Sequence, residues 1–206
     1  MDQIYLDYNA TTPIDPQVAE AMLPHIHQRY GNPSSSHLPG VAAKEAVENA
    51  RSQLANMLGS NEGEVIFTSG GTESNNHAIK GAFGAYRDKG NHIITSAVEH
   101  PAVLEVCRYL EEQGCRVTYL SVDEFGMVDP QQVAEAITSK TILVSIMHAN
   151  NEVGTIEPLE EISRITRERG VLLHADCAQS VGKIAVRVDD LGVDLLSIAG
   201  HKVYAP

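Results

Sequence analysis

The stretch TILVSIMHANNEVGTIEPLEEISRITRERGVLLHAD, residues 141–176, decides the fold. It begins and ends with short runs of consecutive apolar residues, which are typical of strands covered on both faces. Between the two runs, Pro158 opens a helical pattern and Gly170 closes it. The apolar positions of that helix are Leu159, Ile162 and Ile165. A strand, a helix and a second strand in this order predict a βαβ unit with parallel strands.

The same alternation extends over most of the chain. Four more β-rich runs are VIF at 65–67, HIIT at 92–95, RVTYL at 116–120 and VDLLSIA at 193–199. Helices are predicted near 16–28, at 41–58, from the glycines at 70–71 to about Tyr86, and from Pro101 to just before Gly114. This pattern predicts an α/β protein with a mainly parallel sheet and helices on both faces.

The composition argues against several functional classes. The formal net charge is −12 and the basic residues are spread singly, so the chain has no basic stripe for nucleic acid. No apolar run is long enough to span a bilayer, and the opening MDQIYLDYN lacks the regions of a signal peptide. The three cysteines form neither a CxxC pair nor a disulfide framework. We therefore expect a cytoplasmic protein with no nucleic-acid and no membrane partner.

Polar residues collect just after the predicted strands, which is where open parallel sheets bind ligands. The segment SGGTESNN, residues 69–76, opens a helix whose free N–H groups suit a phosphate. It matches neither a Walker loop nor a dinucleotide fingerprint. Taken alone, it also fits an ordinary glycine turn capped by Thr72.

Other strand ends carry single polar groups that have ordinary explanations of their own. His100 lies directly before the helix-opening Pro101, where a capping residue is common, and the asparagines of HANNEVGT at 148–155 fit a turn. Asp176 follows an apolar run, so its carboxylate should be partly buried beside a cationic or hydrogen-bonding partner. Its neighbours His174 and Cys177 complete no zinc pattern with it, and we expect no metal site.

The stretch LSIAGHKVYAP at 196–206 places Lys202 just past the last apolar run. A lysine is a nucleophile only where its surroundings lower its pKa, and most lysines are solvated surface groups. Together, however, the strand ends offer a helix N-terminus for a phosphate, an aromatic ring, an acid and an amine. These are the four groups that pyridoxal phosphate requires, since the acid keeps the ring nitrogen protonated and the amine holds the aldehyde as an imine.

An ordered series of motifs then resembles one known family. The motifs are IYLDYNATTP, YGNPSSSH, IFTSGGTESNNHAIKGA, EHPAV, SIMHANNEVGT, HADCAQSVGK and SIAGHKVYAP. The chain resembles the pyridoxal-phosphate cysteine desulfurases of the nitrogen-fixation and iron–sulfur-cluster-assembly type, in the class-V aminotransferase family. The resemblance implies a large domain of PLP fold type I at 61–206, after an N-terminal segment with helices at 1–60. It also implies that a final antiparallel strand and a small C-terminal domain are missing, so we expect a truncated chain.

The resemblance implies a role for each residue that matches the family's motifs. Lys202 forms the Schiff base with the cofactor, while His100 stacks on the ring and assists proton transfer. Asp176 pairs with the pyridine nitrogen, Gln179 with the ring hydroxyl, and Asn151 contacts the cofactor and the substrate carboxylate. The phosphate site consists of Gly71, Thr72 and His201, with Ala199 and Gly200 giving close approach. Some relatives carry serine where Ala199 stands, so one hydrogen bond to the phosphate is lost in this chain.

The reaction that the resemblance implies converts L-cysteine to L-alanine and leaves the sulfur as a persulfide on an enzyme cysteine. None of Cys107, Cys115 and Cys177 matches that acceptor, so we expect the 206-residue chain alone to be inactive. The implied partners are a second copy of the chain in a homodimer and an iron–sulfur scaffold or another sulfur-acceptor protein. The alternatives are a selenocysteine lyase or another PLP enzyme of the same fold, and a non-catalytic PLP-binding fragment.

Overall fold

The computed structural model describes residues 4–206, which form two compact units. One unit runs to Phe67 and includes His201–Pro206, and the other is Thr68–Gly200. The first unit contains the helices α1 (Pro16–His27) and α2 (Leu38–Leu58) and a 3-10 turn at Glu62–Glu64. The domain boundary at residue 60 stays a prediction.

The larger unit is built on a five-stranded sheet. Its strands are β1 (His92–Ser96), β2 (Arg116–Leu120), β3 (Thr141–Ser145), β4 (Leu172–Asp176) and β5 (Leu195–Ser197). The order across the sheet is β2-β1-β3-β4-β5, and every pair of neighbours is parallel. The predicted parallel sheet is confirmed.

Five helices accompany the sheet in this unit. They are α3 (Gly71–Tyr86), α4 (Pro101–Glu112), α5 (Pro130–Ala136), α6 (Leu159–Arg169) and α7 (Val188–Leu191). The predicted starts and ends of α3, α4 and α6 are confirmed to within a residue or two. The sequence did not predict α5 and α7, because helices of 7 and 4 residues are too short to display a helical period.

Helices cover both faces of the sheet, as predicted. Ile93 of β1 and Leu143 of β3 lie in one apolar cluster with Ile79 of α3 and Val106 of α4. Because side chains alternate along a strand, Ile94 points to the opposite face, where it is also fully buried. The helices α5 and α6 contact the sheet at β2 and β4.

The strand order determines where a ligand can bind. β1 and β3 are neighbours in the sheet although β2 separates them in the chain, so the connections leave these two strands in opposite directions. Open α/β sheets bind ligands at such a switch point, beyond the carboxyl ends of the strands. The loop after β1 carries His100, and the loop after β3 carries Asn151.

The run VIF at 65–67 was predicted as a strand, and this prediction is wrong. Ile66 is 64% exposed and Phe67 is 48% exposed, and the segment pairs with no strand of residues 4–206. Its backbone has other partners, because the Val65 carbonyl accepts a bond from the Arg51 guanidinium and the Val65 N–H donates to Glu62. An apolar run becomes a strand only beside a partner strand, and sequence cannot show whether a partner is present.

Candidate active site

Asp176 is the last residue of β4 and is 6% exposed. Its carboxylate accepts two hydrogen bonds, one from the Asn75 side-chain amide at 2.7 Å and one from the Ala178 backbone N–H at 2.9 Å. Asn75 belongs to α3, so this bond joins the helix to the strand end. Sequence reasoning expected a partner for a buried acid but did not identify Asn75. These two bonds fix the orientation of a carboxyl acceptor at the carboxyl edge of the sheet.

A row of buried polar side chains lies beneath Asp176 on the same face of the sheet. The Ser145 hydroxyl pairs with Nδ1 of His174 at 2.9 Å, and Nε2 of His174 pairs with the Ser197 hydroxyl at 3.1 Å. On the far side of Ser145, the Thr95 hydroxyl donates to the Ser145 carbonyl at 2.9 Å. Burial lowers the pKa of His174 to about 4, although the Asp176 charge opposes that shift. The imidazole is therefore neutral at physiological pH.

The N-terminus of α3 forms a backbone surface suited to an anion. The first intrahelical bond runs from the Ser74 N–H to the Gly70 carbonyl, so the N–H groups of the preceding residues have no carbonyl to bond within the helix. A Cβ on Gly71 would stand 3.3 Å from the Cβ of Ala199, just beyond β5, so glycine permits this close approach. Thr72 is exposed in the same first turn.

The loop after β1 holds two titratable side chains with different environments. His100 is half-buried and caps α4, because its Nδ1 accepts the Ala102 N–H at 3.0 Å. Nε2 is therefore the nitrogen that carries the proton of the neutral ring. The adjacent Glu99 is buried, and its Oε1 accepts bonds from the Ser96 hydroxyl at 2.9 Å and the Met147 N–H at 2.8 Å. Burial raises the pKa of Glu99 to about 8.

The loop after β3 is folded around Asn150. Its side-chain carbonyl accepts the N–H groups of Glu152 and Val153, and its amide donates to the Val98 carbonyl at 3.2 Å. This last bond fastens the loop after β3 to the loop after β1. The neighbouring Asn151 is half-buried, and its amide donates to the Glu152 carboxylate at 2.7 Å.

The turn after β4 carries Gln179, which is half-buried. Its side-chain carbonyl accepts a bond from the Lys183 ammonium at 2.7 Å. In the larger unit, six of the predicted site residues lie at or just after the carboxyl ends of the neighbouring strands β1, β3, β4 and β5, and the other two, Gly71 and Thr72, begin α3 beside Ala199. The full set is Gly71, Thr72, His100, Asn151, Asp176, Gln179, Ala199 and Gly200. Their individual roles toward a cofactor stay predictions.

The remaining two predicted residues, His201 and Lys202, belong to the smaller unit. The His201 carbonyl accepts bonds from both the N–H and the hydroxyl of Thr12, each at 2.9 Å, and its ring pairs with Thr11 at 3.1 Å. Tyr204 donates its N–H to the Thr12 hydroxyl at 2.8 Å and adopts a left-handed φ of 61°. The backbone on both sides of the half-buried Lys202 is therefore held by the segment before α1.

The residues from 4 to 206 contain neither a metal cluster nor a membrane-spanning helix. Within that range, no group of three or more His, Cys, Asp or Glu side chains could hold a metal ion. Among the helices of the same range, none has the length and apolar character needed to cross a bilayer.

Comparisons with known proteins agree with the motifs. The family model described as aminotransferase class-V matches residues 4–206. The chain is 55% identical over 204 residues to the cysteine desulfurase IscS of Dictyoglomus turgidum and 52% identical over 207 residues to the mitosomal cysteine desulfurase of Trachipleistophora hominis. Each match covers 99% of this chain and about half of the relative, 52% and 47% respectively.

Solved structures share both sequence and fold with the chain. SspA in complex with cysteine superposes with a TM-score of 0.96 at 43% identity, over 99% of this chain and 59% of that one. A NifS-like protein has the same TM-score at 40% identity, over 100% of this chain and 57% of that one. The chain thus spans about half the length of the relatives it matches. With a family model matched from residue 4 to residue 206 and this fold, the chain belongs to the class-V aminotransferase family of pyridoxal-phosphate enzymes.

Proposed function

We propose that this chain is the pyridoxal-phosphate-binding part of a cysteine desulfurase, which converts L-cysteine to L-alanine and transfers the sulfur to an enzyme cysteine. The observation that carries the proposal is the buried Asp176, held by Asn75 of α3 at the carboxyl edge of the sheet. The same helix presents its N-terminus a turn earlier. The similarity to named cysteine desulfurases supports the choice of reaction within the family.

The donor set of the larger unit fits the cofactor. A phosphate needs several N–H donors and a positive dipole end, which the first turn of the 16-residue α3 supplies. The close approach at Gly71, where a Cβ would touch Ala199, leaves backbone rather than side chain next to that turn. A protonated pyridine nitrogen needs a fixed carboxylate, and Asp176 is the acid whose two oxygens are oriented by neighbouring donors.

When bound, pyridoxal phosphate supplies an electron sink for a bond broken at the substrate's α-carbon. The role of Asp176 is to keep the pyridine nitrogen protonated, because a buried carboxylate favours a cationic partner. Asn75 and the Ala178 N–H orient that carboxylate. Gln179 and Asn151, which lie on adjacent loops, are proposed to bond the ring hydroxyl and the substrate carboxylate.

His100 is proposed to stack on the ring and to carry a proton. Its Nδ1 accepts the Ala102 N–H, so the capping bond fixes both the ring's orientation and its neutral tautomer. Nε2 is then the atom that holds or releases a proton toward substrate. Lys202 is proposed as the lysine that binds the cofactor covalently, and His201 as a phosphate ligand. Both of these roles rest on the family's motif.

None of the chain's three cysteines suits the role of sulfur acceptor. Cys107 and Cys177 are fully buried and Cys115 is 6% exposed. Burial raises the pKa of their thiols to about 12, 12 and 11 respectively, which suppresses the nucleophilic thiolate. The remaining parts of the proposal rest on the resemblance. They are a cytoplasmic homodimer and transfer of sulfur to an iron–sulfur scaffold or another sulfur-acceptor protein.

The first test is cofactor binding by the purified chain. Pyridoxal phosphate is added, the visible absorption of the protein fraction is recorded, and borohydride is used to fix any covalent adduct before peptide mass spectrometry. We expect an adduct on Lys202, no adduct after Lys202→Ala, and no change after Lys44→Ala, an exposed lysine of α2. An adduct that persists in Lys202→Ala would contradict the assignment.

A selenocysteine lyase is the second candidate, because it would use the same cofactor residues. The discriminating measurement is made on a protein that continues this chain to the length of its relatives. Alanine formation is compared with cysteine and with selenocysteine as substrate. A desulfurase produces alanine from cysteine, whereas a lyase restricted to selenocysteine does not.

A further inference from the structure

Two histidines are bonded across the sheet in the same way, one at each end of it. His92 is the first residue of β1, and its Nδ1 pairs with the Thr141 hydroxyl at 2.7 Å while its Nε2 pairs with the Thr118 hydroxyl at 2.9 Å. His174 lies near the end of β4 and uses its two ring nitrogens for Ser145 and Ser197. We call these the amino-end clamp (His92, Thr118, Thr141) and the carboxyl-end clamp (His174, Ser145, Ser197).

The two clamps match in detail. In each, Nδ1 bonds the histidine's direct register partner on β3, Thr141 at its first residue or Ser145 at its last. In each, Nε2 reaches diagonally to a hydroxyl on an edge strand, β2 or β5. Both rings are buried, and burial lowers the pKa of His92, like that of His174, to about 4. Both are therefore neutral, with one nitrogen donating and the other accepting.

The clamps differ in what lies next to them. Ser197 is the register partner of Asp176, so the diagonal bond from His174 ends on the residue directly beside that carboxylate. His174 itself precedes Asp176 by two residues, on the same face of β4. The amino-end clamp lies at the amino ends of β1 and β3 and at the middle of β2, away from all predicted site residues of the larger unit.

We propose that His174 is a positioning residue, which fixes the end of β4 between β3 and β5 and so holds the Asp176 carboxylate in place for the pyridine nitrogen. That the Asp176 carboxylate is held there for a pyridine nitrogen rests on the proposed function. The neutral ring can accept from one serine and donate to the other without placing a second charge beside Asp176. The bonds are buried, and a buried polar group that loses its partner is destabilised enough to shift the strand end.

The test compares single hydroxyl deletions in the two clamps. Ser197→Ala removes the Nε2 partner of His174, Ser145→Ala removes the Nδ1 partner, and Thr118→Val removes the Nε2 partner of His92 as the matched control. Three quantities are measured for each variant: the hydrogen-exchange rate of the Ala178 amide, the NMR position of the Asn75 side-chain amide, and the Kd for pyridoxal phosphate. The first two probes bond Asp176 directly and need no cofactor.

We expect Ser197→Ala and Ser145→Ala to accelerate Ala178 exchange about tenfold, to move the Asn75 signal and to raise the Kd about tenfold. Thr118→Val should lower the melting temperature about as much as the serine substitutions do. It should leave the Ala178 exchange rate, the Asn75 signal and the Kd unchanged. The inference is overturned if Thr118→Val changes the Ala178 and Asn75 probes equally, or if both serine variants leave those probes unchanged. If the probes respond as expected but the wild-type chain binds no pyridoxal phosphate, the positioning role stands and the proposed function fails.

Discussion

At the scale of single residues, Glu99 makes the sharpest prediction about pH. Burial is the main cause of its raised pKa of about 8, and the charges of Asp176 and Glu157 raise it further. The folded chain therefore keeps a proton on Glu99 that the unfolded chain has already released. A group with a raised folded-state pKa contributes stability that is complete below its unfolded pKa. That contribution is lost as the pH rises toward the folded value.

We expect Glu99→Gln to reduce this pH dependence, because glutamine keeps the oxygen that Ser96 and Met147 bond but cannot ionise. Between about pH 5 and about pH 8, the free energy of unfolding of the variant should rise relative to wild type, by up to about 1.4 kcal/mol per pH unit for one proton. Urea unfolding at several pH values measures this difference in the free energy of unfolding between variant and wild type. Glu112→Gln, at an exposed position of α4, is the control and should follow wild type. Parallel curves for Glu99→Gln and wild type would refute the assignment.

Glu99→Gln should keep part of the wild-type dependence of the unfolding free energy on pH, because a second buried acid also has a raised pKa. Glu157 is 3% exposed, and burial raises its pKa although its carboxylate accepts the Val128 N–H at 2.8 Å. Nothing in the sequence indicated that either Glu99 or Glu157 would have a raised pKa. Ionisation depends on what surrounds a carboxyl, and for Glu99 one hydrogen-bond donor, the Met147 N–H, lies 48 positions away in the chain.

The same limit explains why sequence reasoning found Asp176 but missed Asn75 and the role of His174. Asp176 follows an apolar run, which is a local signal. Asn75 becomes its partner only because α3 packs against the strand end, across 101 residues of chain. His174 was considered only as a metal ligand, whereas the structure shows both its nitrogens satisfied by serines on neighbouring strands.

At the scale of elements, the connection after α7 depends on a glycine for two reasons. Gly192 ends α7 with a left-handed φ of 67°, and a Cβ there would lie 2.5 Å from the Ser163 hydroxyl and 2.8 Å from the Ser163 Cβ on α6. Gly170 ends α6 with a similar φ of 63°, but a Cβ there would meet nothing within 4 Å. The two positions separate backbone strain from steric overlap.

We expect Gly170→Ala to cost about 1–2 kcal/mol, the penalty of a left-handed alanine. Gly192→Ala should cost about 2–4 kcal/mol, because α6 must also shift to admit the methyl group. Urea unfolding of both variants at neutral pH measures the difference. If both variants lost the same free energy of unfolding, Ser163 would move aside freely. The packing of α6 against α7 would then be looser than the structure shows.

Elements were predictable where the signal is local and the element is long. The boundaries of α4 and α6 follow from Pro101, Pro158 and Gly170, which act through the backbone of their own neighbourhood. The run VIF at 65–67 has the same apolar character as the true strands and lacks only a partner. A strand is a property of two segments, so single-segment reasoning fails there.

At the scale of the whole molecule, the ligand-binding edge was predictable because parallel βαβ units place all their strand ends on one side. The strand order β2-β1-β3-β4-β5 was not predictable, since a single sequence does not show which strands are neighbours in the sheet. That order brings the loops after β1 and β3 together and joins them through the bond from Asn150 to Val98. The edge of the sheet that carries the candidate site could thus be predicted from the sequence, whereas the hydrogen-bond partners found there could not.

The burial of all three thiols makes a prediction about the larger unit as a whole. Cys107 of α4 and Cys115 before β2 lie in one apolar cluster, whereas Cys177 follows β4, so the three thiols sample two parts of the larger unit. Each is buried and has a raised pKa, and the thiolate is the form that attacks a thiol reagent. We expect no labelling by such a reagent at neutral pH in the native state and three labelled sites in denaturant.

Ser139→Cys, at an exposed position between α5 and β3, is the positive control and should be labelled at once without denaturant. Labelling of the three natural cysteines at increasing urea should then follow the unfolding transition seen by circular dichroism. Rapid native labelling of any one of them would mean that its thiol reaches solvent. That cysteine would then have to be reconsidered as the sulfur acceptor of the proposed desulfurase reaction, because the acceptor of a persulfide must present an accessible thiolate.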